Sequence, residues 1–268
     1  MGYFVEVEPR VNLYVEDIGQ GQPVLFIHGW PVDHRMYEYQ IDQLPKYGYR
    51  CILVDLRGFG RSDAPWESYS YDRMADDIYC VIHALGLEHV VLAGFSMGGA
   101  IAIRYMSRYA GRHVCKLLLF AAAAPAFTQR PGYPYGMTKE QVDELIELTY
   151  RDRSLMLEQF GQIFFESEIT PSFRHWFNSL GEDASGHGTI ATAISLRDED
   201  LRTDLECINV PTYIFHGIHD KVCPFEFGIL MNQGIPHSTL IRFENSGHAV
   251  FYDELELFNA CLLNVLRQ

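Results

Sequence analysis

Ser96, Asp220 and His248 are the residues whose types, order and settings could do chemistry together. A serine hydroxyl is a weak nucleophile until a base takes its proton, and an acid must hold that base in the right tautomer. Ser96 lies in Gly94-Phe95-Ser96-Met97-Gly98-Gly99, a G-x-S-x-G with small residues on both sides. An apolar run ends at Gly94 and helical spacing resumes at Met97, so Ser96 is expected on a tight strand-to-helix turn with its hydroxyl exposed above a sheet edge. The helix that follows would aim its N-terminal amides and positive dipole end at the site. A chance G-x-S-x-G in a glycine-rich turn is the bland alternative, and the strand before and helix after argue against it.

Asp220 follows the apolar run Tyr213-Ile214-Phe215, in His216-Gly217-Ile218-His219-Asp220. His248 follows the last strand-like run, in Asn245-Ser246-Gly247-His248-Ala249. Nucleophile, acid and base thus come in the order Ser, Asp, His, each just past a C-terminal strand end. The run before the long helical stretch ends Ala121-Ala122-Ala123-Ala124 and offers no carboxylate, which leaves Asp220 as the acid. Among the eleven histidines, His28 reads as holding a turn, His216 as structural on a strand, and His219 as exposed beside Asp220. His216 and His219 with Asp220 fit no established metal-ligand spacing, so no metal is expected. A developing oxyanion needs two donors already in place. The Met97 amide follows the nucleophile, and the Trp30 amide comes from the loop after Val24–Ile27. The Trp30 indole is also placed to line an acyl pocket, and Pro31, with no amide, fixes the loop beside it.

The elements that must position these residues alternate. Strands are expected at Val11–Ile18 (a hairpin strand at the sheet edge), Val24–Ile27, Arg50–Leu56, His89–Phe95, Val114–Ala123, Pro211–Gly217 and Ser238–Glu244. Helices are expected over His34–Leu44, Tyr71–Leu85, Met97–Tyr109, Phe225–Asn232 and Glu254–Arg267. Buried strands alternating with helices imply a mainly parallel sheet covered on both faces. The rhythm breaks after Pro125. Thr138–Phe165 reads as one or two helices, with Thr138 and Gln141 as a capping pair, and Pro171–Leu180 and Thr189–Leu196 as two more. Residues 125–209 are therefore read as a helical cap inserted in a core made of 1–124 and 210–268.

At 268 residues, 48% hydrophobic and 21% charged, the chain can fill one large α/β domain. A net charge of −14 argues against a nucleic-acid partner and against an anionic membrane surface. Residues Met1–Val15 carry acidic residues and no long apolar segment, so no signal peptide is read there, and no run reaches the length of a membrane span. The six cysteines form no C-x-x-C and read as buried reduced thiols, consistent with a cytoplasmic location. The sequence leaves the oligomeric state open, a homo-oligomer included.

The stretches HGWP (His28–Pro31), DLRGFGRSD (Asp55–Asp63), YDRMADDI (Tyr71–Ile78), GFSMGG (Gly94–Gly99), HGIHDKVCPFE (His216–Glu226) and SGH (Ser246–His248) resemble the α/β-hydrolases grouped as bacterial aryl esterases and cofactor-free haloperoxidases, or perhydrolases. The resemblance implies an α/β-hydrolase fold with an eight-stranded type of sheet, the triad Ser96, Asp220 and His248, and an oxyanion hole from Trp30 and Met97. It also implies an acyl-pocket wall near Phe127 and no cofactor. The chain departs from the family in having Ile218-His219 where Gly-Asp is commoner, and in a shorter cap between Phe165 and Asn209. Members with perhydrolase activity are similar in carrying proline after the tryptophan, as Pro31 does here, which implies that hydrogen peroxide can replace water. The expected function is a serine hydrolase of small carboxylic esters or lactones. A C–C bond hydrolase, or an amidase or lactamase, with the same triad is the alternative, and a non-catalytic ligand-binding or signalling member of the fold is the further one.

Overall fold

The continuous apolar runs become the central strands. The computed structural model describes all residues 1–268. The strands are β1 Gly2–Glu8, β2 Val11–Gly19, β3 Gln22–Ile27, β4 Tyr49–Val54, β5 Val90–Phe95, β6 Val114–Phe120, β7 Thr212–Gly217 and β8 Ser238–Phe243. They form one sheet in the order β1-β2-β4-β3-β5-β6-β7-β8. β1 and β2 pair antiparallel, β2 joins β4 antiparallel, and every later pairing is parallel. All six residues of β5 are buried, as a strand covered on both faces requires.

The helices are α1 Glu38–Ile41, α2 Tyr71–Ala84, α3 Met97–Arg108, α4 Lys139–Arg151, α5 Arg153–Gln162, α6 Pro171–Glu182, α7 Gly186–Asp198, α8 Phe225–Gly234, α9 Val250–Asp253 and α10 Leu255–Arg267. No helix is long and apolar enough to cross a membrane. Between β6 and β7 lie α4 to α7 and no strand of the sheet. Thr138 and Gln141 form a reciprocal capping box at the start of α4. The expected Thr138–Phe165 helix is two helices because Asp152 turns away from helical geometry and its carboxylate caps α5 through the Leu155 amide, 3.0 Å.

Three readings are corrected. The edge strand is β1, which places Val11–Gly19 second in the sheet. The expected helix over His34–Leu44 is a 3-10 turn at His34–Tyr37, the single turn α1, and a second 3-10 turn at Leu44–Tyr47. Pro45 has no amide to continue a helix there, and Gly48 at φ 84° ends the segment. The cysteines are all free, but only Cys51 and Cys223 are buried, and Cys207 is exposed.

The register aligns the strand ends that carry the site. Ile27 pairs with Gly94, Phe95 with Phe120, Phe120 with Phe215, and Gly217 with Phe243. The loops after β3, β5, β7 and β8 therefore leave the same edge of the sheet side by side.

Candidate active site

Ser96 occupies the turn between β5 and α3 with φ 51° and ψ −117°. A non-glycine residue rarely holds a positive φ, and it persists here because the surroundings fix it. The Ser96 carbonyl accepts from the amides of Gly99 (3.0 Å), Ala100 (3.2 Å) and Ala123 (2.9 Å), and its own amide donates to Phe120 (3.0 Å). Glycine at 94 and 98 has a direct cause. A Cβ on Gly94 would overlap the Gly98 carbonyl, and one on Gly98 would overlap the carbonyls of Ile27 and His28. The helix after the serine thus rests on the backbone at the end of β3.

That same close approach brings the His28–Pro31 loop to the serine. A Cβ on Gly29 would lie 2.7 Å from the Phe95 ring and 3.0 Å from Ser96 Cβ. Neither the Trp30 nor the Met97 backbone N–H donates to an acceptor within the protein. The Trp30 indole Nε1 donates to the Thr189 carbonyl at 2.9 Å, and its ring meets Phe160 edge-on at 5.0 Å. His28 does hold the loop. Its Nδ1 lies 2.8 Å from the Gly29 carbonyl, and its Nε2 accepts the Leu56 amide at 3.0 Å. Burial lowers its pKa against the pull of Asp55, consistent with a neutral Nδ1–H tautomer.

Asp220 and His248 meet directly. His248 Nδ1 lies 2.8 Å from Asp220 Oδ2, with both side chains fully buried. The other carboxylate oxygen, Oδ1, accepts the amides of Val222 and Cys223, each at 2.8 Å. The two loops touch through glycine again: a Cβ on Gly217 would overlap the carbonyls of Ser246 and Gly247. The His219 amide donates to the Ser246 carbonyl at 3.0 Å, while the His219 side chain is exposed. With Nδ1 donating to the carboxylate, His248 Nε2 carries the lone pair, and it is buried with no partner. The hydrogen bond from Ser96 Oγ to Nε2 is not formed in this structure. Such bonds commonly tighten only when substrate is bound. The Phe95 ring, one residue before Ser96, lies 4.8 Å from the His248 ring. The Cys223 thiol is fully buried; burial, then the Asp220 charge, push it well above its ordinary range despite the Ser96 hydroxyl. It stays protonated and does not compete as a nucleophile.

An apolar crevice of only about 10 Å³ lies between the Pro31–Val32 segment and the helices α5 and α6, with no triad side chain in its lining. Phe160, Phe164 and Phe177 line it with Leu157, and Asn178 is its polar side chain. Phe164 also meets the His248 ring edge-on at 4.9 Å, and the Phe164 carbonyl accepts the Ala249 amide. The sequence reading missed these phenylalanines. Their signal is the i, i+4 spacing of Phe160 and Phe164, which puts both rings on one side of the chain. Phe127 is buried on the loop after β6 and does not line this cavity.

A second buried cluster was also missed. Asp33, His34 and Asp55 bring ligand-type atoms within 4.8 Å of one another. Their atoms are already engaged: His34 Nδ1 with Asp55 at 2.6 Å, His34 Nε2 with Glu16 at 3.0 Å, Asp33 with Arg35, and Asp55 with the Arg61 amide. A histidine with carboxylates on both nitrogens fits an imidazolium ion better than a metal ligand.

The fold and this arrangement define the class. Residues 22–255 match the α/β hydrolase fold family, and the chain belongs to it. It is 55% identical over 262 residues to the AB hydrolase superfamily protein YisY of Bacillus subtilis (strain 168), covering 98% of each chain. The solved structure of the esterase EaEST from Exiguobacterium antarcticum is 52% identical and superposes with a TM-score of 0.99, over 100% of both chains. That of a bromoperoxidase from Bacillus anthracis is 33% identical with a TM-score of 0.96, again over 100% of both. The esterase and haloperoxidase-type kinship expected from the motifs is therefore present.

Proposed function

We propose that this protein is a serine hydrolase of small carboxylic esters or lactones, with residues 125–209 as a helical cap over a core of 1–124 and 210–268. The observation that carries the reading is the convergence at one sheet edge of Ser96, the hydrogen-bonded His248–Asp220 pair, and the two unengaged amides of Trp30 and Met97. His248 Nε2 takes the Ser96 proton as Oγ attacks the carbonyl carbon. The amides of Trp30 and Met97 hold the oxyanion. His248 then gives its proton to the leaving alcohol, and an acyl-enzyme remains. Water, deprotonated by the same Nε2, releases the acid. Asp220 keeps Nδ1–H pointing away from the serine and stabilises the imidazolium formed in both steps. Phe160 against the Trp30 ring and Phe164 against the His248 ring put aromatic bulk beside the reacting groups, which supports a preference for small acyl groups.

Hydrolysis of p-nitrophenyl esters from acetate to octanoate, by wild type and Ser96→Ala side by side, tests the reading. Turnover is expected to be highest on the short chains and to fall by on the order of 10⁴-fold or more in kcat in the variant. A folded Ser96→Ala protein with wild-type rates would overturn it, and a wild type inert on every ester would shift weight to C–C bond or amide hydrolysis. A peroxide reaction is a second expectation, supported by Pro31 after Trp30 and by the bromoperoxidase relative. Acetate and hydrogen peroxide should yield peracetic acid. No peracid from an enzyme with intact esterase activity would remove it.

A further inference from the structure

His216 is the next-to-last residue of β7 and is fully buried, yet the proposed triad does not use it. Its Nε2 lies 2.8 Å from the Cys223 carbonyl, which can only accept, so Nε2 carries the proton. Nε2 is also 3.6 Å from Asp220 Oδ2, the oxygen that His248 Nδ1 reaches at 2.8 Å. The other nitrogen, Nδ1, is buried with no partner and faces Gly228 of α8. Burying an imidazole with one unsatisfied nitrogen is costly, and an apolar ring would fill the same space without that cost. What the imidazole supplies is the N–H. The carbonyl it holds belongs to Cys223, whose amide, with that of Val222, binds Asp220 Oδ1.

We propose that His216 is a positioning residue for the acid: as the Nε2–H tautomer it pins the Asp220–Cys223 turn, so that two amides hold Oδ1 and Oδ2 stays directed at His248. The charged and titratable groups around it are Asp220 and Cys223 on the turn, His248 from the loop after β8, and Glu226 on α8. Burial keeps His216 below its ordinary histidine value against the charge of Asp220, so it is neutral while His248 cycles. The inference rests on the proposed triad.

His216→Phe keeps the ring volume and removes the N–H; His216→Gln returns an N–H near the Nε2 position. On p-nitrophenyl acetate, kcat of the Phe variant is expected to fall about tenfold with KM unchanged. The acid limb of its kcat/KM profile should move to lower pH, because a loosely held carboxylate stabilises the imidazolium less. The Gln variant should recover both. Independently of turnover, the downfield proton resonance of the His248 Nδ1–H···Asp220 bond should weaken or move in the Phe variant and return in Gln. A folded Phe variant with wild-type kcat, acid limb and resonance overturns the inference, as does a Gln variant no better than Phe with the limb unmoved. Ser96→Ala, run in parallel, separates this from failure of the esterase reading: full activity there sinks the reading, and the resonance still tests His216.

Discussion

The ends of the central strands and the helices α5 and α6 meet at one site, but they are held by different means. At the strand ends, backbone lies on backbone: Gly94 on Gly98, Gly98 on Ile27 and His28, Gly217 on Ser246 and Gly247. On the helical side, side chains meet side chains, as rings at 4.9 to 5.8 Å: Phe164 on Phe177, Phe160 on Phe164, Phe95 on Phe164. The first kind of contact has no side-chain torsion to adjust, so it leaves the strand-end loops little freedom. The second kind can be resized one side chain at a time. The proposed chemistry sits on the first and the proposed pocket wall on the second.

The sharpest way to break this contrast is Gly98→Ala. A single added methyl meets two carbonyls that cannot rotate away, so stability should drop by about 3 kcal/mol and turnover should vanish on every ester. A thermal melt and an ester assay check it, and wild-type values in both would mean the floor is more pliant than its geometry implies. Phe160→Ala should behave otherwise. It removes a buried ring at a cost of roughly 3–5 kcal/mol, and the folded fraction should keep hydrolysing acetate while gaining on longer acyl chains. If acyl preference stayed unchanged, the Phe160 ring against Trp30 would not be what limits the acyl group. The smallest effect concerns the His34–Asp55 pair below the floor. Burial works against the charge on both, lowering His34 and raising Asp55. Their mutual hydrogen bond and attraction reverse this, so His34 ends raised and Asp55 lowered. The His34 contribution is whole below the ordinary histidine range and fades as pH rises through the higher folded value. The Asp55 contribution is whole above the ordinary carboxylate range and fades as pH falls through its lower one. Melting temperature against pH should therefore lose a shoulder on both the alkaline and the acid side in His34→Gln. An unchanged profile would remove the pair from the account.

The same contrast explains what the sequence could reveal. Gly94, Gly98, Gly217 and Gly247 are local marks of close backbone approach, and they flank Ser96, Asp220 and His248 within a few positions. The central strands were legible because both faces are covered, which leaves unbroken apolar runs. β1 was not, because an edge strand with Phe4 exposed and Val5 and Val7 buried carries a weaker pattern. The phenylalanine wall was missed although Phe160 and Phe164 carry a local i, i+4 signal, because that spacing does not say which site the rings face. The His34 cluster was missed because His34 and Asp55 lie far apart in the chain, and spacing alone does not pair them. Whether Ser96 Oγ meets His248 Nε2 depends on side-chain geometry, which no sequence pattern encodes.

The order in which the site's parts leave the ribosome follows from the sheet order. β3, β4 and β5 are neighbours made early, so the elbow and the Trp30 loop can form from the first half of the chain. The proposed base comes last, on the loop after β8. His248 follows Ser96 by about 150 residues, which at about 5–20 residues per second is roughly 8–30 s of synthesis. On the proposed triad, the nascent chain holds Ser96 throughout that interval with no base to activate it, so an unfinished polypeptide is chemically silent until its final strand has docked.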